Sequence, residues 1–239
     1  MAQRRPRRIT AADLGDYGSV IHRTVRVDTA AQRLGVSKSA VRKIIRDAQN
    51  DLSGKIFRML SGRAEADFSA TASPRGLLIA AYGPGPRGGA VDTTAAANDL
   101  GVAAETVRRW AAGRQHPSAE HLKALRRAAL RSVNTRQGRR AATEALRRSA
   151  KIQKWLRADR PLIEIEGLQG PSDIQYATQR CIKVDFNPKE NPNRLEDMIN
   201  AYVDGGDQGF LEWLTEFVND AYLENWVFFT IDDIRIGEQ

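Results

Sequence analysis

Two stretches of this chain carry the same pattern, and that repeat constrains the fold more than any other feature. When Leu34-Gly35-Val36 is laid on Leu100-Gly101-Val102, 66 residues further on, Ala30 and Ala31 fall on Ala96 and Ala97. Val41 then falls on Val107, Arg42 on Arg108 and Lys43 on Arg109, while Ile44 takes the place of Trp110. In each copy small and apolar residues line one side of a short helix, and a second helix turns its apolar positions the same way. The glycine between them supplies a positive φ that other residues adopt only at a steric cost. Alanine at the crossing lets the two axes approach closely. The pattern predicts two tight helical hairpins, Val27–Arg46 and Val91–Gly113, each with basic residues on the outer side of its second helix.

One such hairpin is also what an ordinary glycine-capped helix pair produces. Two copies with matching inward and outward positions point to helix-turn-helix units, in which the second helix is presented to the major groove of DNA. The candidate DNA contacts of the first copy are Ser37, Lys38, Ser39, Arg42, Lys43 and Arg46, the two serines serving either as helix caps or as phosphate ligands. Those of the second are Glu105, Thr106, Arg108 and Arg109, with Arg114 in the loop that follows. The second copy has the milder outer face.

Charge divides the chain. Residues 1–160 carry 32 Lys+Arg against 13 Asp+Glu, a net of +19, whereas residues 161–239 carry 5 against 16, a net of −11. The basic part is an electrostatic footprint for a polyanion, with binding expected to fall steeply as salt rises. Double-stranded DNA is the expected partner, and single-stranded DNA a further one. The acidic part is unsuited to phosphate, so residues 161–239 are expected to self-associate or to recruit a protein partner through aromatic surface.

Six segments are expected in order. Residues 1–9 form a basic arm with Arg4, Arg5, Arg7 and Arg8, either lying along phosphate or merely solvated. A first helix-turn-helix domain spans 10–62, and a small-residue linker 63–73. A second such domain spans 74–133, with GPGPRGG at Gly83–Gly89 as a non-helical loop. Residues 134–160 read as one long arginine-rich helix, in which Arg139, Arg140 and Arg147 either track phosphate or form a solvated linker; Lys151, Lys154 and Arg157 continue its charge. Residues 161–239 read as an acidic α+β domain in the order ββααβ, with strands at Leu162–Glu166, Arg180–Phe186 and Trp226–Ile236 and helices at Pro192–Val203 and Gln208–Tyr222. Gln169–Ser172 is expected to be a loop. The fold class is thus mainly α, with tandem helix-turn-helix units and a small C-terminal antiparallel sheet carrying two helices.

Other chemistry is not encoded. A single cysteine, Cys181, and three scattered histidines, His22, His116 and His121, offer no zinc site or internal disulfide. There is no nucleophile elbow, P-loop or dinucleotide fingerprint. Asp232 and Asp233 would point to opposite faces of a strand. The expectation is therefore no catalytic site, no cofactor and no metal. With no apolar run of about 18 residues, the chain is expected in the cytoplasm, beside the nucleoid and off the membrane.

Two resemblances bear on biology. Leu100–Ala129, LGVAAETVRRWAAGRQHPSAEHLKALRRAA, with its tryptophan, the glycine after it and a proline-led helix, is similar to the Cro/repressor-type helix-turn-helix over residues 75–131. From about Arg75 to the C-terminus, the order of LGVAAETVRRW, RRAATEALRR, LIEIE with CIKVDF, DMINAYVDGGDQ, FVNDAYLENW and FFTIDDIRI resembles the terminal proteins of Streptomyces-type linear chromosomes and plasmids. That resemblance implies a protein that caps DNA ends and primes their patching, a hydroxyl side chain accepting the first nucleotide. The family's threonine just after the second strand has no counterpart in Asn187–Asn193; the nearest hydroxyls are Ser172, Tyr176 and Thr178. The function expected is DNA binding as a telomere terminal or replication protein of an actinobacterial linear replicon. The alternatives are a transcriptional regulator of a plasmid or mobile element, a replication or partition factor, and a DNA coat.

Overall fold

The computed structural model describes residues 8–86, 88–147 and 149–238; the Arg4, Arg5 and Arg7 part of the basic arm, Arg87 and Arg148 lie outside them. The chain is mainly helical with one small antiparallel sheet of four strands. It forms two compact units that do not follow chain order. One comprises Met1–Leu52, Ile163–Asp185 and Thr215–Arg235; the other comprises Ser53–Leu162, Phe186–Leu214 and Ile236–Gln239. The units divide at Leu52/Ser53, ahead of the expected linker at 63–73, and at Leu162/Ile163, two residues past the expected break at 160.

In the first unit, a short 3-10 segment, Ala12–Tyr17, leads into α1 (Val27–Leu34) and the start of α2 (Lys38–Ser61), whose residues from Ser53 on belong to the second unit. Leu14, Val20, Ala30, Ala31 and Val41 form a buried cluster, with Val36, Ile44 and Ile45 half-buried against it. The inward positions chosen from the repeat are therefore the ones that build this core. The second helix does not stop at Arg46, as the hairpin alone suggested, but runs to Ser61, 24 residues in all, because Leu52, Ile56, Phe57 and Leu60 keep the helical spacing and stay buried.

The same unit holds most of the sheet. Strands β1 (Pro161–Pro171), β2 (Thr178–Asp185) and β3 (Trp226–Phe228) lie in the order β2-β1-β3, and β4 (Asp233–Glu238) also pairs with β1. Gln169, Gly170 and Pro171 sit opposite Phe228, Val227 and Trp226. The expected loop at Gln169–Ser172 is thus mostly strand. Gly170 is required there, since a Cβ would come within 2.6 Å of the Tyr176 carbonyl. The single final strand expected at Trp226–Ile236 is two short ones: Thr230 folds inward, its hydroxyl accepting from the Leu168 N–H at 3.0 Å.

The second unit is built from capped helices. Helix α3 (Pro74–Tyr82) opens with Ser73, whose hydroxyl accepts from Gly76 N–H, and with proline at its first position; α4 (Thr93–Leu100) opens with Asp92, accepting from Thr94 and Ala95. Helix α5 (Ala104–Ala111) follows, then α6 (Ala119–Asn134), capped by Ser118. The stretch 63–73 is packed, not free: Arg63, Ala66 and Ala72 are buried. The expected long helix at 134–160 is two, α7 (Arg136–Arg147) and α8 (Ala150–Leu156). Helix α9 (Arg194–Ala221) has residues in both units and is broken at Gly206 (φ 65, ψ −148), which agrees with two helices separated at Asp204-Gly205-Gly206.

Candidate nucleic-acid interface

The two hairpins have the same turn. Gly35 sits at φ 66, ψ 33 and Gly101 at φ 66, ψ 34, and each N–H returns to the carbonyl four residues back, Ala31 or Ala97. The next residue bonds the same carbonyl in both copies, Val36 to Ala31 at 3.0 Å and Val102 to Ala97 at 3.1 Å. A Cβ on either glycine would meet nothing within 4 Å, so the left-handed backbone alone selects glycine there. Ala96, Ala97 and Val107 are buried like Ala30, Ala31 and Val41. Trp110, in the place of Ile44, is buried with its ring 5.4 Å from that of His121.

In the first copy all six candidate contacts are exposed. Ser37 acts as the helix cap: its hydroxyl accepts from the Ala40 N–H at 3.1 Å and shares a hydrogen bond with Ser39 at 2.8 Å. Lys38 pairs with Asp28 at 3.0 Å, and Lys43 pairs with Asp47. Arg42 and Arg46 have no side-chain partner among the described residues. Lys38, Arg42 and Arg46 are spaced four apart on one helix and so share one face.

The second copy is closer to neutral. Glu105 lies 2.8 Å from Arg108 and 3.5 Å from Arg109. The hydrogen bond from Arg108 holds the Glu105 carboxyl below the usual glutamate value, so it stays ionised and offsets one arginine. Thr106 is half-buried, and Arg114 is exposed with no side-chain partner among the described residues. An open groove of about 830 Å³ runs beside Arg108, past Asp92, Thr94 and Asn98 and the loop at Gly85 and Gly89.

The arginine-rich stretch departs most from expectation. Arg139 is only 8% exposed and donates to the carbonyls of Val203 (2.8 and 3.0 Å), Val133 (3.1 Å) and Asp204 (3.3 Å), its guanidinium over the Tyr202 ring. It caps the carbonyl end of the first half of α9 and cannot reach a phosphate. Arg147 is committed to Glu196 at 2.9 Å and Glu144 at 3.3 Å. Of the three candidates in this stretch, Arg140 remains exposed, with no side-chain partner among the described residues. The sequence did carry a signal for Arg139. With Ala142, Thr143 and Leu146, all buried, it sits at the i, i+3, i+4, i+7 positions of an inward stripe.

The aromatic residues of 161–239 are mostly interior. Phe186, Phe210, Phe217, Trp226, Phe228 and Phe229 are buried, so the wide apolar face of α9 is covered. The large apolar side chains exposed there are Tyr176, Tyr222 and Leu223. Among the described residues no helix is long and apolar enough to cross a membrane. In comparisons with protein-family models, curated proteins and solved structures, nothing matches this chain.

Proposed function

We propose that this chain binds double-stranded DNA through two helix-turn-helix units, with α2 and α5 as the helices offered to the groove. The observation that carries the reading is the repeated turn at Gly35 and Gly101, followed in each copy by a helix with its cations outward. Arg42 and Arg46 make the first unit the stronger electrostatic contact. The second contributes Arg108, Arg109 and Arg114 with Glu105 partly compensating them.

Fluorescence anisotropy on labelled duplexes across a salt series tests this directly. The paired reversals Arg42→Glu with Lys43→Glu, and Arg108→Glu with Arg109→Glu, should each remove most of the affinity. Unchanged binding in both would sink the assignment. Footprinting on genomic fragments separates a site-specific protein from a coat, which would protect no discrete site.

The narrower proposal is a terminal or replication protein of a linear replicon, resting on the order of segments from Arg75 onward. Protein-primed labelling with a polymerase and a dNTP tests it. Tyr176, a residue 57% exposed, is the first hydroxyl to substitute, because the Thr178 hydroxyl already accepts from Arg180 at 2.7 Å. No labelled protein would leave a transcriptional regulator as the better reading.

A further inference from the structure

The arginine-rich stretch divides by helix. On α7 the cations Arg136, Arg139 and Arg147 are engaged by Asp204, by the carbonyls of Val203 and Asp204, and by Glu196. On α8 and at its C-cap they face outward: Lys151, Lys154 and the capping Arg157 are exposed, and Lys151 and Arg157 have no side-chain partner among the described residues. No acidic residue occurs from Ser149 to Ala158. Lys154 and Arg157 line an open groove of about 510 Å³ with Ala150, Gln153 and Ala158, which are i, i+3, i+4, i+7 and i+8 on one face.

The opposite face of α8 is anchored. Ile152 and Trp155 are buried, the Trp155 ring lies 4.6 Å from that of Phe186, and its indole N–H donates to the Leu162 carbonyl at 3.2 Å. This decides between two polyanions. A basic helix that lies on a membrane must offer its apolar face to the lipid, and here that face is inside the protein. What remains is a row of two lysines, compact point charges suited to phosphate, with one arginine at the C-terminal end.

Resting on the DNA-binding reading above, we infer that the outer face of α8 is a third DNA contact, made to the phosphodiester backbone and independent of sequence. Lys151, Lys154 and Arg157 each neutralise a phosphate, so they set affinity and salt dependence and leave discrimination to the helix-turn-helix units.

The test uses the full chain carrying Lys151→Gln, Lys154→Gln and Arg157→Gln together, and a second variant with Arg157→Gln alone. Affinity is measured on a footprinted duplex and a scrambled one from low to high salt. Melting curves check that the exposed substitutions leave the fold intact. The triple variant should lower the slope of log affinity against log salt by about 2 to 3 units, and the single variant by about 1. The ratio of footprinted to scrambled binding should not change. Parent-like slopes in both variants, with the parent binding DNA, would overturn the α8 contact alone. A lost ratio would overturn its independence of sequence. Loss of binding to phosphatidylserine vesicles with DNA binding intact would assign the face to lipid instead. Failure of the unsubstituted chain to bind any duplex would overturn the DNA reading and the α8 contact with it.

Discussion

The Ser19 hydroxyl donates to the carbonyl of Phe228 at 2.7 Å, across 209 positions of the chain, and both residues are buried. Beside it, the Val20 N–H donates to the Phe229 carbonyl at 2.9 Å. The segment that introduces the first hairpin is therefore bonded to the end of β3. The hydroxyl also accepts from the His22 N–H at 3.1 Å, which shapes the turn before α1.

Ser19→Ala should accordingly destabilise the protein by about 1 to 3 kcal/mol, the cost of leaving a buried carbonyl without its partner. Chemical denaturation measures it. A fragment of residues 1–62 should show no cooperative unfolding, although it contains the whole hairpin. A cooperative melt of that fragment would contradict the shared unit.

Gly35→Ala and Gly101→Ala should cost about 1 to 2 kcal/mol each, since open space surrounds both positions and only the left-handed backbone is penalised. Asn at either position should cost less than Ala, because its side chain tolerates that region. Equal costs in the two copies are expected from their matching dihedrals; denaturation midpoints check this.

Arg139→Ala should cost about 3 to 5 kcal/mol, since three carbonyls at the break in α9 and at the end of α6 lose a charged donor together. Arg140→Ala should change stability by under about 0.5 kcal/mol. Comparing the two neighbours by thermal melting separates the structural arginine from the surface one.

Glu164 on β1 accepts from Arg235 on β4 at 2.7 Å and faces Lys183 on β2 at 3.4 Å. The hydrogen bond from Arg235 and the nearby Lys183 hold its carboxyl below the usual glutamate value. The stabilisation is therefore full above the unfolded value of about 4.3 and is lost as pH falls through the lowered one. Because both cations are well exposed, Glu164→Gln should cost under about 1 kcal/mol near neutral pH. That difference should shrink as pH falls below the unfolded value, as stability against denaturant across an acid pH series would show.

Much of the candidate interface was legible before any coordinates. The turn glycines, the buried Ala30, Ala31, Ala96, Ala97, Val41 and Val107, and the outward Arg42 and Arg46 all follow from helical periodicity and one local backbone requirement. These are properties of a few adjacent residues, so the chain states them directly. The inward stripe marks Arg139 for burial, but the partners of Arg139 and Arg147 were not legible in the same way. A guanidinium looks alike in sequence whether it faces water, Glu196 or the Val203 carbonyl, and only the approach of α9 selects among them.

The sequence by itself determined the repeat and the helical spacing, because each depends on residues within a turn or two of one another, and the split of charge, which composition alone fixes. Tertiary structure alone decided that the first hairpin shares a unit with strands from the other end of the chain. It also decided that β1 continues through Pro171, and that the outward cations of the arginine-rich stretch lie on α8 and at Arg140. Those outcomes depend on backbone groups and buried faces finding partners far along the chain, and no local periodicity records which partner is found.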